Sequence, residues 1–199
     1  RPPRSTLFPY TTLFRSPEEL GGYTVGVLVQ TNFGGVLNMN GAPVGRELAN
    51  YSFRDYVIPK GSDSDREDGS IMIVVATDAP LTARNLDRVG MRAIMGLART
   101  GSSASNGSGD YVVAFSTNPS VRKPRFSDSP VAIEVLVNES MSPLFAATAE
   151  ATKKAIYNAI LKATTVSSTR GTLEAIPLDQ LIPLLEEYEA LNWNSRISQ

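Results

Sequence analysis

The stretch DGSIMIVVATD, residues Asp68–Asp78, joins a hydrophilic segment to an uninterrupted apolar run. All residues from Ile71 to Ala76 are apolar, and a run of this length is typical of a strand in the interior of a sheet. The preceding segment, residues 59–68, has almost no apolar side chain and indicates an exposed loop. The sequence therefore predicts that the Gly69–Ser70 peptide bond lies where an exposed loop enters a central strand.

The chemistry of this bond is constrained by the residue types that the chain lacks. There is no His and no Cys, which excludes a Ser-His-Asp triad and a thiol nucleophile. If the Gly69–Ser70 bond is cut, Ser70 gains a free α-amine with a pKa of about 7.7–8, suited to general-base catalysis near neutral pH. Gly69 has no Cβ and leaves its carbonyl open to the Ser70 hydroxyl. We therefore predict a self-cleavage site that creates a nucleophile and its base together.

Hydrophobic periodicity divides most of the remaining chain into strands and helices. The Val- and Leu-rich run 23–31 fits a strand that is buried on both faces. Further strands are predicted at 112–115 and 131–137, and helices at 82–100, 142–162 and 178–191. Strands and helices in this order predict an α/β fold.

Composition narrows the classes of partner. With 42% hydrophobic residues, 20% charged residues and a formal net charge of −1, the chain suits a globular protein. Lys and Arg are dispersed, so no basic stripe indicates nucleic-acid binding. No apolar run approaches the length of about 18–20 residues that a membrane helix requires. We expect neither a nucleic acid nor a membrane as partner.

Four sequence fragments together resemble a known family, the P1 or DmpA-like self-processing serine aminopeptidases, which include L-aminopeptidase D-esterase and β-peptidyl aminopeptidases. The fragments occur in the family's order and are Gly22–Gly34 (GYTVGVLVQTNFG), Gly41–Gly45 (GAPVG), Gly69–Leu81 (GSIMIVVATDAPL) and Gly107–Asp110 (GSGD). The resemblance covers the chain from about Pro17 onward. It implies a four-layer α/β/β/α sandwich of the DmpA/ornithine acetyltransferase type.

The same resemblance implies a set of catalytic residues. Ser70 is the nucleophile, released by autocleavage between Gly69 and Ser70. Ser108 and Asp110 match the serine and acidic residue that form a hydrogen-bonded relay with the nucleophile, although some relatives carry Glu at the second position. Asn32 matches the asparagine whose amide stabilises the oxyanion. On residue statistics alone, Asn32, Ser108 and Asp110 are ordinary turn residues.

The resemblance also implies substrates and partners. The substrates are small peptides, amino-acid amides or esters, with β-amino-acid peptides as a further candidate, and the family uses no metal or organic cofactor. It forms oligomers of α/β heterodimers that arise from self-cleavage. A partner of this chain would then be the missing part of its own α chain.

The domain boundaries follow from the same comparison. Residues Thr6–Ser16 read like a sequencing-library adapter translated in frame, so 1–16 are expected to lie outside the fold. Residues 17–69 correspond to the C-terminal part of the α chain and 70–199 to the β chain. The fold is then expected to be incomplete at its N-terminus.

Two alternatives remain open at the level of sequence. One is acyl transfer of the ornithine acetyltransferase type, although that branch uses an N-terminal threonine and this chain has Ser70. The other is an inactive binding module of the same fold, in which the Gly69–Ser70 bond stays intact and Gly107–Asp110 is only a turn.

Overall fold

The described part of the chain is built around a four-stranded sheet with the strand order β1-β2-β3-β4. The structure, a computed structural model, describes residues 11–52, 54, 69–126, 128–169 and 171–191. Strand β2 pairs antiparallel with β1 and β3, whereas β3 and β4 run parallel. The strands are β1 Thr11–Arg15, β2 Thr24–Asn32, β3 Ser70–Thr77 and β4 Gly109–Ser116. The predicted central position of the apolar strand 70–77 is confirmed.

Three of the four helices in the described part of the chain lie close to their predicted positions, whereas the short first helix was not predicted. The helices are α1 Val44–Glu47, α2 Ala83–Ala98, α3 Ser142–Lys162 and α4 Leu178–Glu187. Helix α2 connects the parallel strands β3 and β4, as a βαβ unit requires. A short hairpin of β5 Val166–Ser168 and β6 Gly171–Leu173, which the sequence did not indicate, precedes α4.

The core forms between one face of the sheet and helices α2 and α3. Alternate side chains of β2 and β3 point toward these helices, because successive residues of a strand face opposite sides. They are Val25, Val27, Val29, Ile71, Ile73 and Val75, all almost fully buried. A second cluster around Tyr157 of α3 and Leu181 of α4 holds the turn at Met39–Ala42. The loop that follows β2 is thereby tied to the helical layer.

The opposite face of the sheet is open. Leu28, Met72 and Tyr111 are 38%, 41% and 63% exposed. The prediction that strand 23–31 is buried on both faces was therefore wrong for this chain, since helices cover one face only. The α/β class is confirmed, and the described residues form two layers, a sheet and its helices, of the expected four-layer sandwich.

A predicted strand at 131–137 is absent from the described structure, and that prediction was wrong. The segment has no strand partner, although Leu136 N donates to Pro80 O at 2.8 Å. Val131, Ile133 and Val135 are exposed instead of buried. A run with high β propensity becomes a strand only when a neighbour pairs with its backbone.

The N-terminal segment also differs from expectation. Residues Thr11–Arg15 pair with β2, and Phe14 packs against the core, although 1–16 were expected to lie outside the fold. The reason is physical: the segment has β-favouring residues, and the edge of β2 offers unpaired backbone groups. Its adapter-like origin stays a prediction. The predicted loop at 59–68 lies outside the described residues.

Candidate active site

Three neighbouring strands bring the predicted site residues to one end of the sheet. Asn32, the last residue of β2, pairs with Ser70, the first residue of β3. Ser70 in turn pairs with Gly109, the first residue of β4. The parallel β3 and β4 start at the same edge, and the antiparallel β2 ends there. The strand register therefore assembles residues that are far apart in sequence.

The Ser70 hydroxyl lies against the peptide bond that the sequence predicts to be cleaved. Ser70 Oγ donates to Gly69 O at 2.6 Å, and the side chain is exposed on the open face of the sheet. The same carbonyl oxygen accepts a second bond, from Gly109 N at 3.1 Å. The nucleophile is thus next to the carbonyl it would attack, and that carbonyl is already polarised by donors.

Gly69 is held tightly against the loop that follows β2. A Cβ atom at this position would lie 2.8 Å from Phe33 Cα and 2.9 Å from Asn32 O. Both neighbours are backbone atoms, which cannot rotate away as a side chain can. Glycine is therefore required here because backbone atoms of the neighbouring loop leave no room for a side chain. This reason adds to the open carbonyl that the sequence suggested.

Ser108 and Asp110 are bonded to each other. Ser108 Oγ donates to Asp110 Oδ1 at 2.7 Å, and Ser108 N donates to Ser105 O at 2.9 Å within the preceding turn. Asp110 pairs with Ile71, so strand alternation directs its side chain to the helix-covered face, opposite to Ser70. The bond between Ser108 and Asp110 is one half of the expected relay. Among the described residues, no hydrogen bond joins either side chain to Ser70 in this uncleaved form.

Asn32 faces the same side of the sheet as Ser70. Directly opposite residues on antiparallel strands have Cβ atoms about 4.5–5.5 Å apart. The Asn32 side chain is exposed, and its amide makes no hydrogen bond to any residue in the described part of the chain. It is therefore available as a donor beside the nucleophile.

A cleft of about 340 Å³ opens beside Asn32, and sequence reasoning did not find it. Its floor is the loop after β2, fixed by bonds from Val36 N to Gly101 O and from Asn38 N to Thr100 O, both 3.0 Å. No described lining residue carries a formal charge. These residues are Thr31, Asn32, Phe33, Gly34, Gly35, Leu37, Asn50, Tyr51, Ser52, Thr100, Gly101, Ser102 and Ile160. The glycine pair after the strand was its one visible signal in the sequence.

Tyr157 of α3 anchors the turn beyond this loop. Its hydroxyl donates to Asn38 O at 3.0 Å and accepts from Asn40 N at 3.3 Å. Burial raises the pKa of Tyr157 above its usual value, and the bond from Asn40 partly offsets the increase. The neutral phenol is thus the form that holds the turn in place.

Solved structures with a similar fold define the class. The chain matches l-aminopeptidase d-ala-esterase/amidase from Ochrobactrum anthropi, described as a variant of the Ntn hydrolase fold, with a TM-score of 0.72 and 29% identity over 91% of this chain and 47% of that one. The PH0078 protein from Pyrococcus horikoshii OT3 matches with a TM-score of 0.72 and 41% identity over 89% of this chain and 46% of that one. The fold is therefore of the Ntn-hydrolase type.

Sequence comparison then gives the family: the chain belongs to Peptidase family S58, whose model matches residues 12–173. It is 38% identical over 178 residues to the β-peptidyl aminopeptidase BapA of Sphingosinicella microcystinivorans. That alignment covers 85% of this chain and 44% of the relative. The chain thus spans about half the length of the proteins it matches.

Proposed function

We propose that the protein is a self-processing serine aminopeptidase, which cleaves its own Gly69–Ser70 bond and then hydrolyses N-terminal residues from small peptides, amides or esters. The observation that carries the proposal is the Ser70 hydroxyl, 2.6 Å from Gly69 O at the start of a central strand. Membership of Peptidase family S58 supports it. The chain itself has no His and no Cys, so its own residues can build neither a Ser-His-Asp triad nor a thiol nucleophile.

Maturation begins with attack of Ser70 Oγ on the carbonyl carbon of Gly69. The new C–O bond forms, the C–N bond breaks, and the hydroxyl proton passes to the departing nitrogen of Ser70. The resulting ester is hydrolysed by water, which leaves a carboxylate on Gly69 and a free hydroxyl and α-amine on Ser70. Because the amine titrates near neutral pH, it can act as general base in later turnovers.

Turnover repeats the same chemistry on a substrate. Ser70 Oγ attacks the carbonyl of the substrate's first residue, the amine product leaves, and water hydrolyses the acyl-enzyme. The Asn32 amide donates to the developing oxyanion. Departure of Gly69 frees the Ser70 hydroxyl, and we propose that Ser108 Oγ then bonds to Ser70, with Asp110 orienting Ser108 or stabilising the new ammonium group. The mechanism needs no metal or organic cofactor.

The surroundings of Gly69 also suggest which acyl groups are preferred. If an incoming acyl residue takes the place that Gly69 leaves, the carbon next to its carbonyl lies against Phe33 and Asn32, where a Cβ would approach backbone atoms to 2.8–2.9 Å. A β³-amino acid has an unsubstituted CH₂ at that carbon and carries its side chain one carbon further away. We therefore propose glycyl and β³-aminoacyl groups as favoured substrates.

The open sheet face supports a proposal for the rest of the protein. Its apolar side chains, among them Leu28, Met72, Val113 and Phe115, form a surface of the kind on which a second sheet packs in a sandwich. We propose that an upstream part of the α chain covers this face, and that processed α/β heterodimers assemble into oligomers. The missing partner would complete the site beside Ser70.

The activity is tested by assaying purified protein, expressed with the upstream coding sequence restored, on glycyl and β-alanyl p-nitroanilides. Wild type should release p-nitroaniline, whereas Ser70→Ala should not. Ser167→Ala, which removes an exposed hydroxyl in the β5–β6 hairpin, is the matched control. Acetyl transfer to ornithine without peptide hydrolysis would instead identify the acyltransferase branch.

A further inference from the structure

We infer that the main-chain N–H of Gly109 is an oxyanion donor in the self-cleavage step. The inference rests on the proposed function, since it concerns the cleavage of the Gly69–Ser70 bond. Gly109 N lies 3.1 Å from Gly69 O, the oxygen on which negative charge develops when Ser70 attacks. Nothing in the GSGD pattern had assigned a role to this glycine.

The second donor to that oxygen does not persist through the reaction. Ser70 Oγ donates to Gly69 O at 2.6 Å before attack. During attack the same oxygen bonds to the carbonyl carbon, and its proton passes to the leaving nitrogen. Among the described donors to Gly69 O, only Gly109 N–H then remains to stabilise the tetrahedral oxyanion.

The strand pairing holds this donor in place before the reaction starts. Gly109 begins β4, which pairs with β3 without interruption from Ser70–Gly109 to Thr77–Ser116. The bond from Ser108 N to Ser105 O fixes the turn on the other side. A backbone donor between two fixed segments needs little reorganisation as charge develops, which is the condition for effective electrostatic catalysis.

The identity of residue 109 fits the same role. A Cβ atom at this position would lie 3.2 Å from Ser70 Oγ and 3.1 Å from Cε2 of Tyr111. The absence of a side chain therefore lets the donor and the nucleophile approach the same carbonyl from neighbouring strands. A larger residue would displace the hydroxyl that must attack.

The competing explanation is that this bond is only the first rung of the β3–β4 ladder. An ordinary rung stabilises the sheet as much as other rungs do, without a special effect on cleavage. The two explanations are separated by replacing the N–H with an ester oxygen at two places in β4. An α-hydroxy acid at position 109 removes the proposed donor. An α-hydroxy acid at position 113 removes an N–H group that also points toward β3 but lies in the middle of the strand.

The experiment follows self-cleavage of the precursor by intact mass, with thermal unfolding measured in parallel on the same esters in a Ser70→Ala background. We expect the ester at 109 to slow cleavage by about 10²–10³-fold, the usual effect of losing one oxyanion donor. The ester at Val113 should keep a rate close to that of wild type, while both esters lower the unfolding midpoint to a similar extent. Equal cleavage rates in the two esters would overturn the inference.

The outcome for wild type separates this inference from the proposed function. An uncleaved wild-type precursor would overturn both, whereas a cleaving wild type with an unaffected 109 ester would overturn the inference alone. If the 109 ester does not fold, amide exchange of Gly109 tests whether the hydrogen bond that the inference requires is present. Its N–H should be protected in uncleaved Ser70→Ala and exchange faster in processed wild type, where Gly69 O has left. An unprotected N–H in the uncleaved protein would contradict the inference.

Discussion

Gly69 and Phe33 are in backbone contact: a Cβ atom on Gly69 would lie 2.8 Å from Phe33 Cα. This contact joins the residue before the nucleophile to the loop that follows β2. The carbonyl of Gly69 accepts from both the Ser70 hydroxyl and the Gly109 N–H. The proposed cleavage geometry thus depends on the absence of a side chain at position 69.

Gly69→Ala should slow self-cleavage by on the order of 10²-fold, because the new methyl group must displace the scissile carbonyl from its donors. The measurement is a time course of intact mass. Gly90→Ala in α2 is the control, since its Cβ would meet nothing closer than Val112 Cγ1 at 3.5 Å. Equal rates for both variants would show that the contact with Phe33 does not position the bond.

Asn32→Ala should lower kcat/KM of the processed enzyme by about 10²–10³-fold, because one donor to the oxyanion is lost. Stability should change little, since the exposed Asn32 side chain has no described hydrogen-bond partner. Gln30→Ala, two residues earlier on the same exposed face, is the matched control. An equal, small effect of both substitutions would remove Asn32 from the site.

Asp110→Asn should reduce turnover by about 10²-fold, because it replaces the carboxylate that accepts from Ser108 at 2.7 Å. Asp110→Glu keeps the charge and should retain more activity. If Ser108 and Asp110 act as a unit, the double variant Ser108→Ala/Asp110→Asn should be no worse than the more damaging single variant. Asp87→Asn on the exposed surface of α2 is the control, and fully additive losses would contradict a relay.

The kcat/KM of a substrate should depend on whether the carbon next to its scissile carbonyl carries a side chain. Glycyl and β³-aminoacyl p-nitroanilides should exceed L-α-aminoacyl ones in kcat/KM by roughly 10–200-fold, the usual range for one excluded carbon group. The panel keeps the leaving group constant, so the difference reports on the acyl position alone. A clear preference for L-leucyl over glycyl substrate would show that substrates do not occupy the place of Gly69.

Tyr157→Phe should destabilise the protein by about 1–2 kcal/mol, because Asn38 O and Asn40 N lose their partner. The pKa of Tyr157 is raised in the folded state, so its contribution is complete below the unfolded value of 10.0 and is lost as pH rises through the higher folded value. Denaturant unfolding at several pH values should therefore show a difference between wild type and variant that shrinks above pH 10. A difference that grows there would contradict the assignment.

Much of the layer that carries the site could be predicted from the sequence. The apolar run after Ser70 predicted β3 and its central position, because continuous apolar runs are typical of strands in the interior of a sheet. Helix α3 was found at 142–162 since its inward residues recur at helical spacing, with Thr148, Thr152 and Ile156 buried. These features depend on local pattern alone.

The features that were missed depend on long-range pairing. Residues 131–137 have the composition of a strand, but no neighbour pairs with them in the described structure. The orientation of Asp110 away from Ser70 follows from the register of β3 with β4, which no local pattern reveals. For the same reason the contact between Gly109 N and Gly69 O could not be read from the GSGD motif.

The central claim, that Ser70 is released as an N-terminal nucleophile, is tested most directly by intact mass and N-terminal sequencing of the precursor expressed with its upstream coding sequence. Wild type should yield two chains, one of which begins at Ser70, while Ser70→Ala stays a single chain. A single uncut chain in both proteins would contradict the account and favour a binding module of the same fold.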